Sequence, residues 1–149
     1  RKLSEISKIP VFHLDRCIWK ENWVEAPSEE QEDCIKKILM QDRWVIEGFI
    51  NPLAKEKLEQ ADLVLYLDYS GQQAFLGGFR RWWQCRGRMR PEMPAGCIEG
   101  FDWKYLMVML KRLERPEIEE KISPYQNKTI RLKTPLETKN ALTLRQNPI

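Results

Sequence analysis

With 149 residues, of which 42% are apolar and 32% charged, the chain holds enough apolar material for a real core and too much for a disordered segment. A net charge of +3 and a pI near 8.7 are only mildly basic, which excludes a chain that is basic throughout and leaves any anion-binding signal to a local cluster. No apolar run reaches the roughly 18 residues of a spanning helix and no charged-then-apolar leader opens the chain, so a cytoplasmic protein without a membrane partner is expected.

Cys17, Cys34, Cys85 and Cys97 are widely spaced, with no C-x-x-C pair, and His13 is the sole histidine. Neither a zinc site nor a redox motif is written in that spacing, and reduced thiols are the expectation.

The elements alternate in type along the chain. Arg1 to Lys8 reads as the end of a helix, with Leu3 and Ile6 on one face and no N-cap before it, so an upstream piece is expected. Pro10 to Asp15 is a short apolar strand ending in a carboxylate. Ser28 opens a helix through a capping box to Gln31, with Cys34, Ile35, Ile38 and Leu39 as its apolar face. Trp44 to Gly48 is a second strand, Pro52 to Gln60 a short charged helix, and Asp62 to Asp68 a third strand, apolar enough for burial on both faces. Phe75, Phe79 and Trp82 share one helical face, and Trp103, Leu106, Met107, Leu110 and Leu113 form another; both stripes read as core. Lys128 to Lys133 is the last strand, followed by a helix with Thr134-Pro135 at its first turn and a patternless tail at 145–149.

Strands alternating with helices, without hairpin turns, predict βαβ units and a mostly parallel sheet, hence an α/β fold with ligands at the carboxyl ends of the strands. Asp15, Glu47-Gly48 and Asp68 stand at those ends, where turn and helix capping is the competing role.

The strongest local signal is basic. Arg80, Arg81, Arg86, Arg88 and Arg90 fall within eleven positions, the last three alternating through Arg86-Gly87-Arg88-Met89-Arg90-Pro91 where a helix should break. Guanidinium groups present a planar fork of donors matched to phosphate oxygens and stay charged at physiological pH, so the segment reads as an anion clamp on a hinge. The bland alternative is a solvated basic face. A nucleic-acid-binding module is a further alternative, with these arginines tracking phosphates and Trp82 or Trp83 stacking on bases.

The order of elements, an arginine-rich segment after the apolar strand Leu63 to Asp68, and Glu47-Gly48-Phe49 resemble the nucleoside and nucleotide kinase branch of P-loop proteins. Phe12-His13-Leu14-Asp15, Trp19-Lys20, Trp23-Val24, Arg43 to Gly48, Gly87 to Met93, Gly96-Cys97 and Phe101-Asp102 are similar to the bacterial DNA topology modulation (FlaR-like) proteins, an adenylate-kinase-related family named for a genetic effect. The resemblance covers roughly residues 1 to 140. It implies a three-layer α/β/α P-loop fold of strand order 2-3-1-4-5, a single kinase-like domain over 1–144, and a helical lid at about 80–101.

The family's central strand and Gly-x-x-Gly-x-Gly-Lys-[Ser/Thr] loop do not occur in the sequence, and by the resemblance would precede Arg1. The alternative is a non-catalytic nucleotide-binding or interaction protein that lacks the loop. Two further departures bear on the acceptor: Ile50-Asn51 stands where adenylate kinases have Pro-Arg, and His13 where shikimate kinases have a first aspartate.

The resemblance implies phosphoryl transfer from ATP with Mg²⁺ to a small-molecule or nucleotide acceptor. Arg86, Arg88 and Arg90 would neutralise the transferring phosphates, and Asp15 would contact or deprotonate the acceptor hydroxyl. Glu47 would hold a magnesium-bound water and with Gly48 line the substrate site, Trp19 and Trp23 would wall the acceptor pocket, with simple packing as their alternative role, and Thr134 and Pro135 would contact adenine. DNA is the second-choice partner.

Overall fold

The computed structural model describes residues 7–144, with side chains described to residue 141. The expected helix tail at Arg1 to Lys8 therefore falls mostly outside the described residues, and the tail at 145–149 entirely so. In chain order the elements are β1 (Val11–His13), α1 (Asp15–Ile18), a 3-10 turn (Glu21–Trp23), α2 (Ser28–Leu39), β2 (Val45–Glu47), α3 (Ala54–Gln60) and β3 (Val64–Leu67). They continue with α4 (Gly71–Cys85), α5 (Trp103–Lys111), α6 (Arg115–Ile122), a 3-10 segment (Ser123–Lys128), β4 (Thr129–Leu132) and α7 (Pro135–Leu144). No helix among the described residues is long and apolar enough to cross a membrane.

The protein is α/β, with its strands in two parallel pairs, β1 with β2 and β3 with β4. The expected parallel pairing is thus present. The described residues gather into two compact units, 7–54 with 82–101, and 55–81 with 102–144.

In the first unit, β1 and β2 align Val11 with Val45, Phe12 with Ile46 and His13 with Glu47. Leu14, Cys17, Ile35 and Ile38 form its buried centre, with Phe12, Ile18, Trp44, Ile46 and Leu53 packed around them. Ile35 is fully buried and Ile38 nearly so, as the apolar face of α2 predicts.

Two expectations fail here. Ser28 makes no capping box: Pro27 stands at the N-cap without a side-chain bond, and the Gln31 amide donates to the Ala26 carbonyl at 2.7 Å instead. Gln31 is buried, so satisfying that carbonyl outweighs reaching back to a solvent-exposed backbone N–H. The cysteines are not all reduced either. Cys17 and Cys34 form a disulfide that ties α1 to α2 across a Cα–Cα distance of 5.7 Å, leaving Cys85 and Cys97 free.

In the second unit, β3 and β4 run in register from Val64 opposite Thr129 to Leu67 opposite Leu132. Burial on both faces of β3 is not observed, since Leu67 is 52% exposed; a two-stranded sheet offers too little cover for both faces. The α5 stripe is also only partly core: Leu106 is buried, whereas Trp103, Leu110 and Leu113 are exposed. Phe75 and Phe79 stack in parallel planes on α4, and Trp103 meets Phe75 edge-on. Gly71, at the start of α4, lets the backbone of α5 come close, because a Cβ there would lie 1.9 Å from the Leu110 carbonyl oxygen. Lys128 closes the end of α3 by donating to the carbonyls of Glu59 and Ala61 at 3.0 and 2.7 Å, where the negative pole of a helix favours a cation.

Lys57, on α3, is 7% exposed, and burial pushes its ammonium down to a pKa of about 8, with the Lys121 charge acting in the same direction. A base whose folded pKa lies below its unfolded value binds fewer protons when folded between the two, so stability from this group rises with pH from about 8 to 10.5. Replacing Lys57 with Met should stabilise the protein most below pH 8, by up to about 3 kcal/mol, and the gain should shrink as pH climbs towards 10.5. Urea denaturation of both proteins across that range is the check; a gain independent of pH would contradict it.

Candidate functional site

The first unit brings together Asp15, Trp19, Trp23, Glu47, Gly48, Arg86, Arg88 and Arg90. Thr134 and Pro135 belong to the second unit, where the Thr134 hydroxyl accepts the Glu137 N–H at 3.1 Å and Pro135 begins α7. That is ordinary helix capping.

β1 ends at His13, so Asp15 is the first residue of the four-residue α1 rather than a strand residue. Its carboxylate is 41% exposed and lies 3.8 Å from the Arg90 guanidinium. Arg90 also donates to Glu99 at 2.9 Å, and both of these side chains are largely out of water, at 15% and 9% exposure. Next to Asp15, Arg16 donates to the carbonyls of Pro91 and Glu92 at 2.6 and 3.2 Å. The two successive residues of α1 thus grip the arginine segment, one by charge and one through its backbone.

The segment is folded back on itself. Met89 and Ile98 form an antiparallel bridge, Glu99 N–H donates to the Arg88 carbonyl at 3.0 Å, and Gly87 N–H to the Glu99 carbonyl at 3.3 Å. The 3-10 turn fastens its far side. The Trp23 indole donates to the Ile98 carbonyl at 2.9 Å, and Asn22 N–H donates to Ala95. The buried Cys97 thiol donates to the Lys20 carbonyl at 3.4 Å and accepts from Trp23 N–H at the same distance. Trp19 meets Trp23 edge to face, with ring centroids 5.6 Å apart. Trp23 thus fastens the arginine loop, and Trp19 packs against Trp23.

This framework gives the three arginines different environments. Arg90 is held between two carboxylates, Arg86 lies over the Trp83 ring at 4.1 Å from its centroid, and Arg88 is exposed without a side-chain partner among the described residues. Arg88 is the guanidinium open to an incoming anion.

At the end of the sheet, His13 Nδ1 and Glu47 Oε2 are 2.5 Å apart, as expected for residues in register on adjacent strands. No group of three or more His, Cys, Asp or Glu side chains among the described residues could hold a metal. Glu47 is engaged with His13.

Reading the sequence alone misses Arg16 and Glu99, and it underrates Asp68. The Asp68 carboxylate is buried and pairs with Arg112, Arg115 and Arg131, Arg131 at 2.8 Å. Arg131 in turn meets both oxygens of Glu119, at 2.5 and 2.6 Å, and that bidentate bond holds the Glu119 carboxyl below its usual pKa. Asp68 is therefore the centre of an ion network in the second unit. A strand-end acid followed by R-x-x-R at 112–115 was the signal that could have found it.

Comparison with protein-family models, with curated proteins and with solved structures finds no match to this chain.

Gly96 closes the arginine loop with φ +73°, and a Cβ there would meet Asn22 Oδ1 at 2.2 Å. Gly96→Ala should cost about 1–3 kcal/mol of stability by urea denaturation, with part of the loss recovered in the double variant with Asn22→Ala. A neutral Gly96→Ala variant would contradict this picture of the loop.

Proposed function

We propose that the protein is an ATP-binding phosphotransferase of the nucleotide-kinase branch of the P-loop fold, acting on a small-molecule or nucleotide acceptor. The observation that carries the reading is Arg88. It is an exposed guanidinium, unpartnered among the described residues, on a loop fastened through Arg90, Glu99, Arg16 and Trp23. Phosphoryl transfer asks a protein mainly to position reactants and neutralise charge on the transferred group, and an open arginine on a fastened loop backbone supplies the second of these.

The strand pairing supports the fold-level part. In the order 2-3-1-4-5, removal of the middle strand leaves the pairs 2-3 and 4-5, both parallel, which correspond to β1 with β2 and β3 with β4. The three-layer sheet and the lid role of 80–101 belong to the same proposal.

On this reading Arg88 binds the transferring phosphate, and Asp15, with its carboxylate 41% exposed, accepts the acceptor hydroxyl's proton while Arg90, 3.8 Å away, holds it in place. Magnesium would screen phosphate charge when bound with the nucleotide.

A second reading has an observation of its own. Trp83, with Arg86 over its ring, and Phe101, edge-on to Trp82, are each more than half exposed, and exposed aromatic faces near an arginine suit the bases and phosphates of a single-stranded nucleic acid.

Calorimetric titration of ATP with Mg²⁺ tests the first reading, using the 149-residue chain and a form extended by the strand and phosphate loop that the resemblance implies. Binding to the extended form, weakened about tenfold or more by Arg88→Ala and competed by pyrophosphate, is expected. Absence of binding in both forms, or binding indifferent to Arg88→Ala, would sink it. Salt-steep binding of single-stranded DNA, lost with Trp83→Ala and not competed by ATP, would favour the second.

A further inference from the structure

The two residues of the Cys17–Cys34 disulfide differ in exposure. Cys17 is buried at 6% exposure within the core of the first unit, whereas Cys34 is partly exposed and lines an open groove of about 500 Å³. Phe12 and Ile38 give this groove an apolar lining, and Glu30, Asp33 and Lys37 give it charge. Glu30 is occupied by Lys20 at 2.6 Å. Asp33 and Lys37 have no ion-pair partner among the described residues, although they stand four apart on α2 with Cys34 between them in sequence. The groove thus offers an anionic and a cationic group beside Cys34, the more exposed half of the bridge.

We propose that Cys34 is a thiol-exchange site for a small zwitterionic aminothiol of the cysteine type. Asp33 meets the ligand's ammonium, Lys37 its carboxylate, and the apolar lining its short carbon chain. The ligand's thiolate attacks the Cys34 sulfur, the bond to Cys17 breaks, and Cys17 leaves with the electron pair as a thiolate that takes a proton from water. The product is a mixed disulfide on Cys34. A second aminothiol attacks the ligand sulfur of that mixed disulfide and expels the Cys34 thiolate, which is protonated in turn. In sum two thiols are oxidised to one small disulfide, and the protein bridge is reduced by two electrons and two protons.

Exchange acts on the candidate site through α1. That helix has only four residues, too few to hold itself by internal hydrogen bonds, and it carries Asp15 and Arg16, whose contacts grip the 90–92 segment. Opening the bridge removes the covalent tie between α1 and α2. The inference does not rest on the nucleotide reading.

The test treats the native protein with cysteine under mildly alkaline conditions, traps free thiols with iodoacetamide, and maps the adducts by mass spectrometry. The mixed disulfide should be found on Cys34, with Cys17 alkylated. The rate with cysteine relative to 2-mercaptoethanol should fall about threefold to fivefold in the Asp33→Asn/Lys37→Gln variant, the range expected for exposed charge contacts. Amide exchange in α1 should rise once the adduct forms. A mixed disulfide found mainly on Cys17, or a rate ratio unchanged in the variant, would overturn the proposal. Should that variant not fold, the position of the adduct in the native protein decides alone.

Discussion

The Arg90 guanidinium, set between Glu99 and Asp15, is the interaction on which the candidate site depends. Taking a guanidinium and a carboxylate out of water is costly, and the cost is recovered only where geometry is good and the remaining donors are used. At 15% and 9% exposure, Arg90 and Glu99 are committed to one another, and the second carboxylate, Asp15, joins from a different element. Removing either member would leave the other charge poorly hydrated inside the first unit. The same pair turns the 86–99 segment back on itself, and that turn leaves Arg88 open while Arg86 stacks on Trp83.

The second unit uses the same physics around Asp68. A buried carboxylate there gathers Arg112, Arg115 and Arg131, and Glu119 balances part of the surplus positive charge. The network joins the end of β3 to β4 and α6, beside the buried Ile122 and Leu132, while Leu67, Leu110, Leu113 and Ile130 are exposed. Charge pairing here adds to the burial of Leu58, Leu106, Ile122 and Leu132, whereas the first unit centres on the Leu14, Cys17, Ile35 and Ile38 cluster.

Much of the secondary structure was legible, because apolar periodicity marks it directly. The centres of all four strands fall on the short apolar runs, those of α2, α4 and α5 where helical spacing puts them, and α7 follows the proline of its first turn. The failures have separate physical reasons. Charged α6, Arg115–Ile122, carries only Ile118 and Ile122 as an apolar pair and so leaves little periodic signal. The capping box at Ser28 yielded to a buried carbonyl that the sequence does not reveal. The disulfide joins cysteines 17 residues apart with no motif spacing, and depends on the packing of α1 against α2. For the site, the arginine run was plain, but its partners were not: Asp15 lies 75 residues from Arg90 in sequence, and local pattern cannot pair them. Asp68 is likewise separated from Arg112 and Arg131 by 44 and 63 residues.

The most direct test of the account is a double-mutant cycle on Arg90 and Glu99, with Arg90→Met, Glu99→Gln and the pair compared with the native chain by urea denaturation. A buried, directly bonded pair predicts single losses that do not add, with a coupling of roughly 1–3 kcal/mol. Single losses that sum to the double within about 0.5 kcal/mol would contradict it, and Arg90 would then not be what fixes the arginine loop.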